Sequence, residues 1–224
     1  SSDLALRGAR VTLYDRNRDV GRGCSWWAGG MLALWCEMES AEALIGELGL
    51  ESLSYWRAHF PGVINKGSLV VAPPRDTPDL KRFAARTSHF EVIDGKRVAE
   101  LEPDLAGRFE TGLFFEKEAH LDPREALGFL SERLQKEFGV RFVMDADVRP
   151  ESLDADHVLD CRGFEARDVL PDLRGVKGEM LIIRTSEISL IRPIRLLHPR
   201  IPVYIVPRDD HHFMIGATMI ESSD

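Results

Sequence analysis

Cysteine is scarce in this sequence, with only Cys24, Cys36 and Cys161 among 224 residues. An odd number at scattered positions does not make a disulfide framework and favours a reducing compartment, which we take to be the cytoplasm. No run approaches the roughly 20 consecutive apolar residues of a membrane helix, and the first residues show no signal peptide. We therefore expect neither a disulfide-rich protein nor a membrane-spanning one.

Positive charge is also in deficit, since 29 Lys and Arg against 37 Asp and Glu give a formal net charge of -8 at pH 7. No basic block is available to neutralise phosphates, so we expect no nucleic-acid partner and no binding to a membrane surface. Internal repeats and low-complexity segments are lacking as well. With 44% hydrophobic residues, the composition is that of a globular protein with one large domain or two small ones.

Two kinds of secondary-structure pattern alternate along the chain. Residues 1–30 and 122–175 have the alternation of helix and short apolar strand that is typical of α/β layers. The remaining residues mix strands and helices in an α+β manner. This predicts two interleaved domains, one formed by residues 1–30 with 122–175 and the other by residues 31–121 with 176–224.

The N-terminal segment resembles the middle of a β-α-β unit. Residues 1–8 predict the end of a helix, because good helix formers precede Gly8 at the place of a left-handed cap. Residues 9–14 (ARVTLY) predict a buried strand that ends at Asp15. We expect the strand, the glycine turn and most of the helix that should precede this segment to be missing from the chain.

The clearest helix signal starts at residues 122–125, where Asp122, Pro123 and Glu125 make a capping box with Asp in place of the hydroxyl residue. Apolar residues then recur at helical spacing up to Gly139, which ends the helix. Further core strands are predicted at residues 140–144 and 157–160.

The α+β part contains a predicted helical region at residues 40–60, with Leu44, Leu48, Leu53 and Trp56 as buried candidates. A second helix is predicted over residues 77–86 with Thr77 as its N-cap. Strands are predicted around these helices, and the last three form an antiparallel sheet: residues 67–72, 89–93, 112–115, 179–184, 202–206 and 212–215.

Two features of the α/β part are typical of a dinucleotide-binding site. An acidic residue at the end of the second strand of a β-α-β unit accepts hydrogen bonds from a ribose, and Asp15 has this position, although such a residue is more often a turn former. Residues 22–31 (RGCSWWAGGM) follow, and their adjacent glycines let the backbone approach a flat or phosphorylated ligand. A flexible connector is the alternative, but two tryptophans and a methionine are unusual in a connector.

The histidines give no metal-ligand pattern. His211 and His212 are adjacent in a predicted hairpin turn, so their side chains diverge, and the other five have no ligand spacing. Cys24 and Cys36 are too far apart for a zinc pair. We predict no metal site, and Tyr204 taken alone reads as a core tyrosine of a strand.

Seven segments together resemble the D-amino-acid-oxidase-like FAD-dependent oxidoreductases, and within them most closely the glycine oxidases of thiamine biosynthesis. In chain order they are ARVTLYDR, SWWAGGML, LEPDL, HLDPREAL, VLDCRGF, VKGEMLIIR and YIVPRDDHHFMIGATM. YIVPR and GAT are fairly specific together. The resemblance implies an α/β fold in which a Rossmann-like FAD-binding domain is interleaved with an α+β substrate domain built on an antiparallel sheet.

The resemblance also assigns residues to the cofactor. Asp15 would hold the adenosine ribose, and the backbone of Val148 would meet the adenine. Cys161 and Gly163 match a small-residue segment under the cofactor, usually Ala-x-Gly, in which Arg162 is a departure whose charge must find solvent or a phosphate. The rest of the implied cofactor contacts lie in the glycine loop: Arg22, Cys24 and Ser25 at the pyrophosphate, and Ala28, Gly29 and Gly30 along the flavin.

For the substrate, the resemblance implies a pocket lined by Met31, Tyr204 and Met219. Oxidation of an amine next to a carboxylate moves a hydride to the flavin, and the protein orients the substrate, so no strong base is required. A bidentate arginine suits the carboxylate. In the family that arginine follows the GAT strand, which places it beyond this chain, and neither Arg192 nor Arg208 is assigned to the role. No catalytic residue is assigned.

The implied activity is FAD-dependent oxidation of glycine or a small amino acid to an imine and then an oxo-acid, with O2 reduced to hydrogen peroxide, in thiamine biosynthesis. A D-amino-acid or sarcosine oxidase, or a dehydrogenase of the same family, remains an alternative, as does an inactive fragment that binds no FAD. We expect FAD to be absent or weakly held here, because the helix N-terminus that faces the pyrophosphate is missing. The partners would be a small amino acid and O2, and a homo-oligomer is left open.

Overall fold

The computed structural model describes residues 2–39 and 43–222. Parts of three predictions fall on residues outside this set, namely residue 1, residues 40–42 and residues 223–224. The described residues include no helix with both the length and the apolar composition needed to cross a membrane.

The described residues form seven α-helices: α1 (Ser2–Leu6), α2 (Cys24–Trp27), α3 (Leu34–Glu37), α4 (Ala43–His59), α5 (Thr77–Arg86), α6 (Gly95–Leu101) and α7 (Pro123–Lys136). They also form thirteen strands: β1 (Thr12–Tyr14), β2 (Met31–Leu32), β3 (Ser68–Val71), β4 (Glu91–Asp94), β5 (Thr111–Phe115), β6 (Ala119–His120), β7 (Arg141–Val143), β8 (Val176–Lys177), β9 (Met180–Arg184), β10 (Ile194–Leu196), β11 (Val203–Pro207), β12 (His212–Gly216) and β13 (Ile220–Glu221). Short 3-10 turns lie at Pro74–Asp76, Pro103–Leu105, Pro150–Ser152 and Gly163–Asp168.

Contacts divide the chain into two compact units, each assembled from separate stretches of sequence. Residues from Thr218 onward belong to the first unit, whereas the sequence placed them in the substrate domain. That the two units bind cofactor and substrate stays a prediction. The first unit contains the residues up to Ala28, Arg124–Glu179 and those from Thr218, and the second contains Gly29–Pro123 and Met180–Ala217.

The first unit is organised around a parallel pair of strands, β1 and β7, in which Leu13 lies opposite Phe142. Its small core joins Ala5 of α1 to Leu134 of α7. α1 is followed by Gly8 with a φ of +84°, so the predicted left-handed cap is confirmed. The predicted helix from the capping box is also confirmed as α7. A second, antiparallel pair is formed by β8 and β13.

Two strand predictions for this unit are wrong. The strand predicted as buried at residues 9–14 is shorter, and Thr12 and Tyr14 are exposed, because β7 is its one partner among the described strands. Residues 157–160 form no strand, and Leu159 is 67% exposed. A short apolar run becomes a strand only when a neighbouring strand satisfies its backbone groups, and no described strand pairs with these residues.

The second unit is organised around a sheet whose described strands follow the order β4-β5-β3-β10-β11-β12-β9. All neighbours are antiparallel except β3 and β10. The three predicted antiparallel strands near the C-terminus are confirmed as β9, β11 and β12. Asp210 and His211 have φ values of +54° and +57° in the turn between β11 and β12, as a two-residue hairpin turn requires.

Both faces of this sheet are covered at β3, which is buried along its whole length. Val70 faces a cluster that includes Phe83 of α5 and Trp35 of α3. Leu69 and Val71 point the other way, into a cluster that includes Phe213. The alternation of side chains along one strand therefore connects the two cores of the unit.

Two helix predictions for this unit need correction. In α4, Leu53 is buried, but Leu44 and Leu48 are 58% and 51% exposed, because they lie one turn apart on a face that no described residue covers. Trp56 is half-buried. Thr77 is the first residue of α5 and not its cap, since the preceding 3-10 turn continues into the helix and the Thr77 hydroxyl donates to the Pro74 carbonyl.

Candidate functional site

Asp15 stands at the carboxyl end of β1, where ligands of open α/β sheets bind. Its amide donates to the Val143 carbonyl at 3.1 Å, and its own carbonyl accepts from the Ala146 amide at 3.0 Å. These bonds hold the residue against the segment that follows β7 and leads to Val148. The structure thus brings Asp15 and the Val148 segment together at the ends of two adjacent parallel strands.

The Asp15 side chain also forms a local turn, which the sequence analysis named as the commoner role of such a residue. Its Oδ1 accepts from the backbone amide of Asn17 at 2.8 Å and from the Asn17 side chain at 2.9 Å. Within the described chain, Oδ2 makes no hydrogen bond. The turn therefore orients the carboxylate and leaves one oxygen for another donor.

The Arg162 side chain is 31% exposed, so its charge has the expected access to solvent, and two aspartates neutralise it as well. Its guanidinium binds Asp160 at 2.7 Å and Asp168 at 3.0 Å, with paired hydrogen bonds to each carboxylate. These bonds raise the pKa of Arg162 and lower the pKa values of both aspartates. The Arg162 side chain thereby fixes the turn that holds Cys161 and Gly163, both of which are exposed.

This turn is also tied to the strand that carries Asp15. Arg16, the residue after Asp15, pairs with Glu165 at 3.2 Å. Gly163 has a φ of +62°, and a side chain there would meet no atom within 4 Å, so the backbone conformation and not crowding calls for glycine. Asp15, Val148 and the Cys161–Gly163 segment therefore form one linked group.

The pyrophosphate candidates lie in a different part of the first unit. The Arg22 guanidinium binds Asp19 at 3.2 Å and lies 4.6 Å from the Trp26 ring centroid. Arg124 at the start of α7 lies 5.2 Å from the same ring. The other two pyrophosphate candidates, Cys24 and Ser25, are exposed. Ala28, which the resemblance places along the flavin, is also exposed and belongs to the first unit. None of the hydrogen bonds or ion pairs found among the described residues links this segment to Asp15.

The flavin candidates Gly29 and Gly30 belong to the second unit, where Gly30 lies against the Leu121 backbone. Gly30 has a φ of +78°, and a Cβ atom there would lie 2.1 Å from the Leu121 carbonyl oxygen. The Leu121 amide donates to the Gly30 carbonyl at 2.9 Å. This contact continues the ladder of β2 and β6, in which Met31 lies opposite His120.

Both arginines that the sequence left without a role are engaged in the structure. Arg192 and Glu102 form a buried pair at 2.8 Å, with side chains 6% and 1% exposed. Arg208 pairs with Asp122 at 3.0 Å and donates to the carbonyls of Leu121 at 3.0 Å and Gly29 at 2.9 Å. These commitments leave neither guanidinium free to hold a substrate carboxylate.

His120 is buried next to this arrangement and was not predicted as a site residue. Its Nδ1 has no hydrogen-bond partner in the part of the chain that is described. Burial and, secondarily, the positive charge of Arg208 lower the pKa of His120 to about 4. The imidazole is therefore neutral at physiological pH.

Tyr204 lies on β11 and its hydroxyl donates to Glu37 Oε1 at 2.8 Å. The Arg195 guanidinium lies 4.9 Å from the Tyr204 ring centroid and pairs with Glu39 at 2.9 Å. Burial, and next the charge of Glu37, raise the pKa of Tyr204. Met219, the third predicted substrate residue, belongs to the first unit and is 87% exposed.

Glu118 anchors α3, the helix that carries Glu37, and was not predicted as a site residue. Its Oε1 accepts from the Cys36 amide at 2.7 Å, and its Oε2 accepts a hydrogen bond from the Ser68 hydroxyl. Burial raises its pKa to about 7. Glu118 stands in the polar run EKEAH, which reads as surface, and its partners are 50 and 82 residues away.

Metal ligation finds no support in the described residues, which contain no group of three or more His, Cys, Asp or Glu side chains that could hold an ion. Cys36 is buried and its thiol pKa is raised, chiefly by that burial, so it is not a reactive thiolate.

Replacement of Gly30 by alanine tests the backbone contact with Leu121. We expect Gly30→Ala to lower the free energy of unfolding by about 3 kcal/mol or more, because the new Cβ overlaps the Leu121 carbonyl and φ is positive. Gly128→Ala in α7 is the control, since its Cβ meets no atom within 4 Å, and it should stabilise by about 0.5–1 kcal/mol. Denaturant unfolding measures both, and equal effects would contradict the assignment.

Glu118→Gln tests the buried carboxyl group. A Gln amide can keep both bonds, accepting from Cys36 and donating to Ser68. Because the pKa of Glu118 is raised from 4.5 to about 7 in the folded protein, its stabilisation is complete below pH 4.5 and is lost as the pH rises through 7. Relative to the unchanged protein, the variant should therefore gain about 3 kcal/mol of unfolding free energy over this pH range.

Denaturant unfolding at a series of pH values measures this difference. His120 also affects the pH dependence: its lowered pKa gives stability that is present above pH 6.5 and lost as the pH falls through about 4. His120 is present in both proteins, so its effect cancels in the difference. A constant difference across the range would show that Glu118 titrates normally.

Comparison with known proteins agrees with the fold and the motifs. The chain is 54% identical over 223 residues to the "Putative thiamine biosynthesis oxidoreductase ThiO" of Rhizobium etli. The alignment covers 99% of this chain and 67% of that protein. The glycine oxidase structure from Geobacillus kaustophilus matches with a TM-score of 0.79 at 20% identity, over 99% of this chain and 68% of that one. The glycine oxidase structure from Bacillus cereus matches with a TM-score of 0.76 at 19% identity, over 99% and 70%.

At these identities the two structures show the fold. The model of the DAO family, described as FAD dependent oxidoreductase, matches residues 2–224. With nearly the whole sequence matched, the chain belongs to the DAO family of FAD-dependent oxidoreductases.

Proposed function

We propose that this protein oxidises glycine or another small amino acid with FAD as cofactor, giving an imine that hydrolyses to an oxo-acid and reducing O2 to hydrogen peroxide. The observation that carries the proposal is the 54% identity over 99% of the chain to a relative named as a thiamine biosynthesis oxidoreductase. A role in thiamine biosynthesis follows from the same relative. When bound, FAD supplies the acceptor for the hydride that leaves the substrate Cα.

The donors and acceptors of the first unit fit the adenosine half of FAD. Asp15 offers one carboxylate oxygen beyond the end of a parallel strand, and a ribose hydroxyl is a suitable donor to it. Val148 lies on the neighbouring segment and offers backbone groups for an adenine. Arg22 and Ser25 are exposed and could neutralise and hydrogen-bond a pyrophosphate.

In the second unit, Gly29 and Gly30 offer backbone without side chains, which suits the flat flavin ring. Met31 continues this segment as a candidate for the substrate pocket, and Tyr204 is its second candidate. Arg192, Arg195 and Arg208 each pair with a carboxylate of the second unit, so none is assigned to the substrate carboxylate.

Tyr204 has one hydroxyl proton, and that proton is donated to Glu37. Toward a third partner the hydroxyl oxygen can therefore act only as an acceptor. The substrate group that can donate to it is the amine, while the carboxylate cannot. We propose that Tyr204 accepts a hydrogen bond from the substrate amine and that Glu37 fixes this polarity.

The test of the activity is oxygen uptake by the FAD-loaded protein with glycine, sarcosine and D-alanine. We expect glycine to give the highest kcat/KM and hydrogen peroxide to form in a one-to-one ratio with the oxygen consumed. Faster turnover of sarcosine or D-alanine would identify a different substrate. Reduction of a quinone dye without oxygen uptake would identify a dehydrogenase, and no turnover with any acceptor would refute the proposal.

Tyr204→Phe tests the polarity of the hydroxyl. Loss of one hydrogen bond to the amine, about 1.4 kcal/mol, should raise the KM for glycine about tenfold. Tyr55→Phe in α4 is the matched control and should leave the KM unchanged. A carboxylate inhibitor that lacks an amine should bind both proteins equally well. If Tyr204→Phe lowers the affinity for this inhibitor as much as the affinity for glycine, the hydroxyl contacts the carboxylate instead.

A further inference from the structure

We propose that Arg208 is a positioning residue for the flavin site: it ties Gly29 to the Leu121–Asp122 segment and so fixes the backbone offered to the flavin ring. The inference rests on the proposed function, because it takes Gly29 and Gly30 as the flavin-facing segment. Arg208 follows β11 in the YIVPR motif, and the sequence left it without a role.

The guanidinium reaches three acceptors on two segments that are far apart in sequence. Nη1 donates to the Leu121 carbonyl at 3.0 Å and pairs with Asp122 Oδ2 at 3.0 Å. Nη2 donates to the Gly29 carbonyl at 2.9 Å. The Arg208 side chain is 9% exposed and the Asp122 side chain 27%, so the guanidinium itself has little access to water. A planar fork can satisfy all three at once, and the ammonium of a lysine cannot reproduce that geometry.

The segments that Arg208 joins are already in contact through their backbones. The Gly30 position leaves no room for a side chain against Leu121, and the Leu121 amide donates to the Gly30 carbonyl. Arg208 adds bonds on both sides of this contact, one to Gly29 and two to Leu121 and Asp122. The Gly29–Gly30 backbone is thus held by a side chain from a third segment and not by its own sequence.

The charge balance around Arg208 indicates that its guanidinium positions the backbone of Gly29 and Leu121 and does not bind an anion. Asp122 neutralises the guanidinium, and the other two acceptors are carbonyls. Removal of Arg208 would leave the Gly29 and Leu121 carbonyls and the Asp122 carboxylate without their shared donor. The expected result is a displaced Gly29–Gly30 segment in a unit that stays folded, because its large sheet does not depend on Arg208.

Arg192 provides a matched control within the same unit. It is equally buried, pairs with Glu102 at 2.8 Å, and donates to the carbonyls of Lys66 and Leu101. Its acceptors are all outside the Gly29–Met31 segment. A conservative change at Arg192 therefore has a similar structural cost and no direct effect on the flavin-facing backbone.

The experiment compares Arg208→Lys, Arg208→Met and Arg192→Lys with the unchanged protein. FAD affinity is measured by quenching of flavin fluorescence at a temperature where thermal unfolding shows all four proteins to be folded. We expect both Arg208 variants to bind FAD at least about tenfold more weakly and Arg192→Lys to stay within about twofold. Unchanged FAD affinity in both Arg208 variants, or an equal loss in Arg192→Lys, would overturn the proposal.

Amide hydrogen exchange gives a readout that needs no FAD. Exchange of the Leu121 amide, which donates to the Gly30 carbonyl, should accelerate at least about tenfold in both Arg208 variants, while the Leu197 amide, bonded to Val71, should not change. Normal protection of Leu121 in Arg208→Met would overturn the positioning role. If the unchanged protein binds no FAD while Leu121 exchange responds as expected, the proposed function fails and the role of Arg208 in holding Gly29 stands.

Discussion

The backbone contact between Gly30 and Leu121 is the constraint on which the arrangement of the second unit's candidate site depends. It brings residues that are 91 positions apart so close that a Cβ atom cannot be accommodated. From it follow the pairing of β2 with β6, the position of Met31 opposite His120, and the reach of Arg208 to Gly29. Gly30, which the sequence analysis assigned to the flavin, is therefore also required by packing against Leu121.

Buried charges in the second unit join segments that are distant in sequence. Glu118 holds the start of α3, and Arg192, which precedes β10, pairs with Glu102, which follows α6. Arg208 joins its own loop to those of Gly29 and Asp122. A buried charge is costly unless its partners satisfy it, so each of these groups is committed to the chain. Arg192 and Arg208 are therefore not assigned to the substrate carboxylate, because each already pairs with a carboxylate of the chain.

Local signals predicted local structure well. The helix predicted to start at Pro123, the left-handed cap at Gly8 and the hairpin at Asp210 all depend on neighbours within a few residues, and all are found. Two predictions that depend on distant partners failed: residues 157–160 form no strand because no described strand pairs with them, and Leu48 lies on an uncovered helix face. Composition and periodicity do not predict which distant segment packs against a given strand or helix face.

The same distinction applies to the candidate site. The segments that carry Asp15 and Gly30 could be predicted from the sequence, because a strand end and a glycine turn are local patterns. The ion pairs of Arg162 could not, since the carboxylates that neutralise it are recognisable only once the 3-10 turn is formed. Family resemblance supplied the expected cofactor and its contact residues, whereas the ion pair of Arg208 with Asp122 and its bond to Gly29 are visible only in the fold.

Tyr204 shows how such a distant partner changes the chemistry of a predicted residue. A tyrosine hydroxyl can donate to a carboxylate or accept from an amine, and the sequence does not decide between them. Glu37 takes the only proton, and Glu118 holds the helix on which Glu37 stands. The polarity of the Tyr204 hydroxyl is therefore set by Glu37, and the buried Glu118 holds the helix that carries Glu37. Under the proposed function, recognition of the substrate amine would depend on the packing of α3.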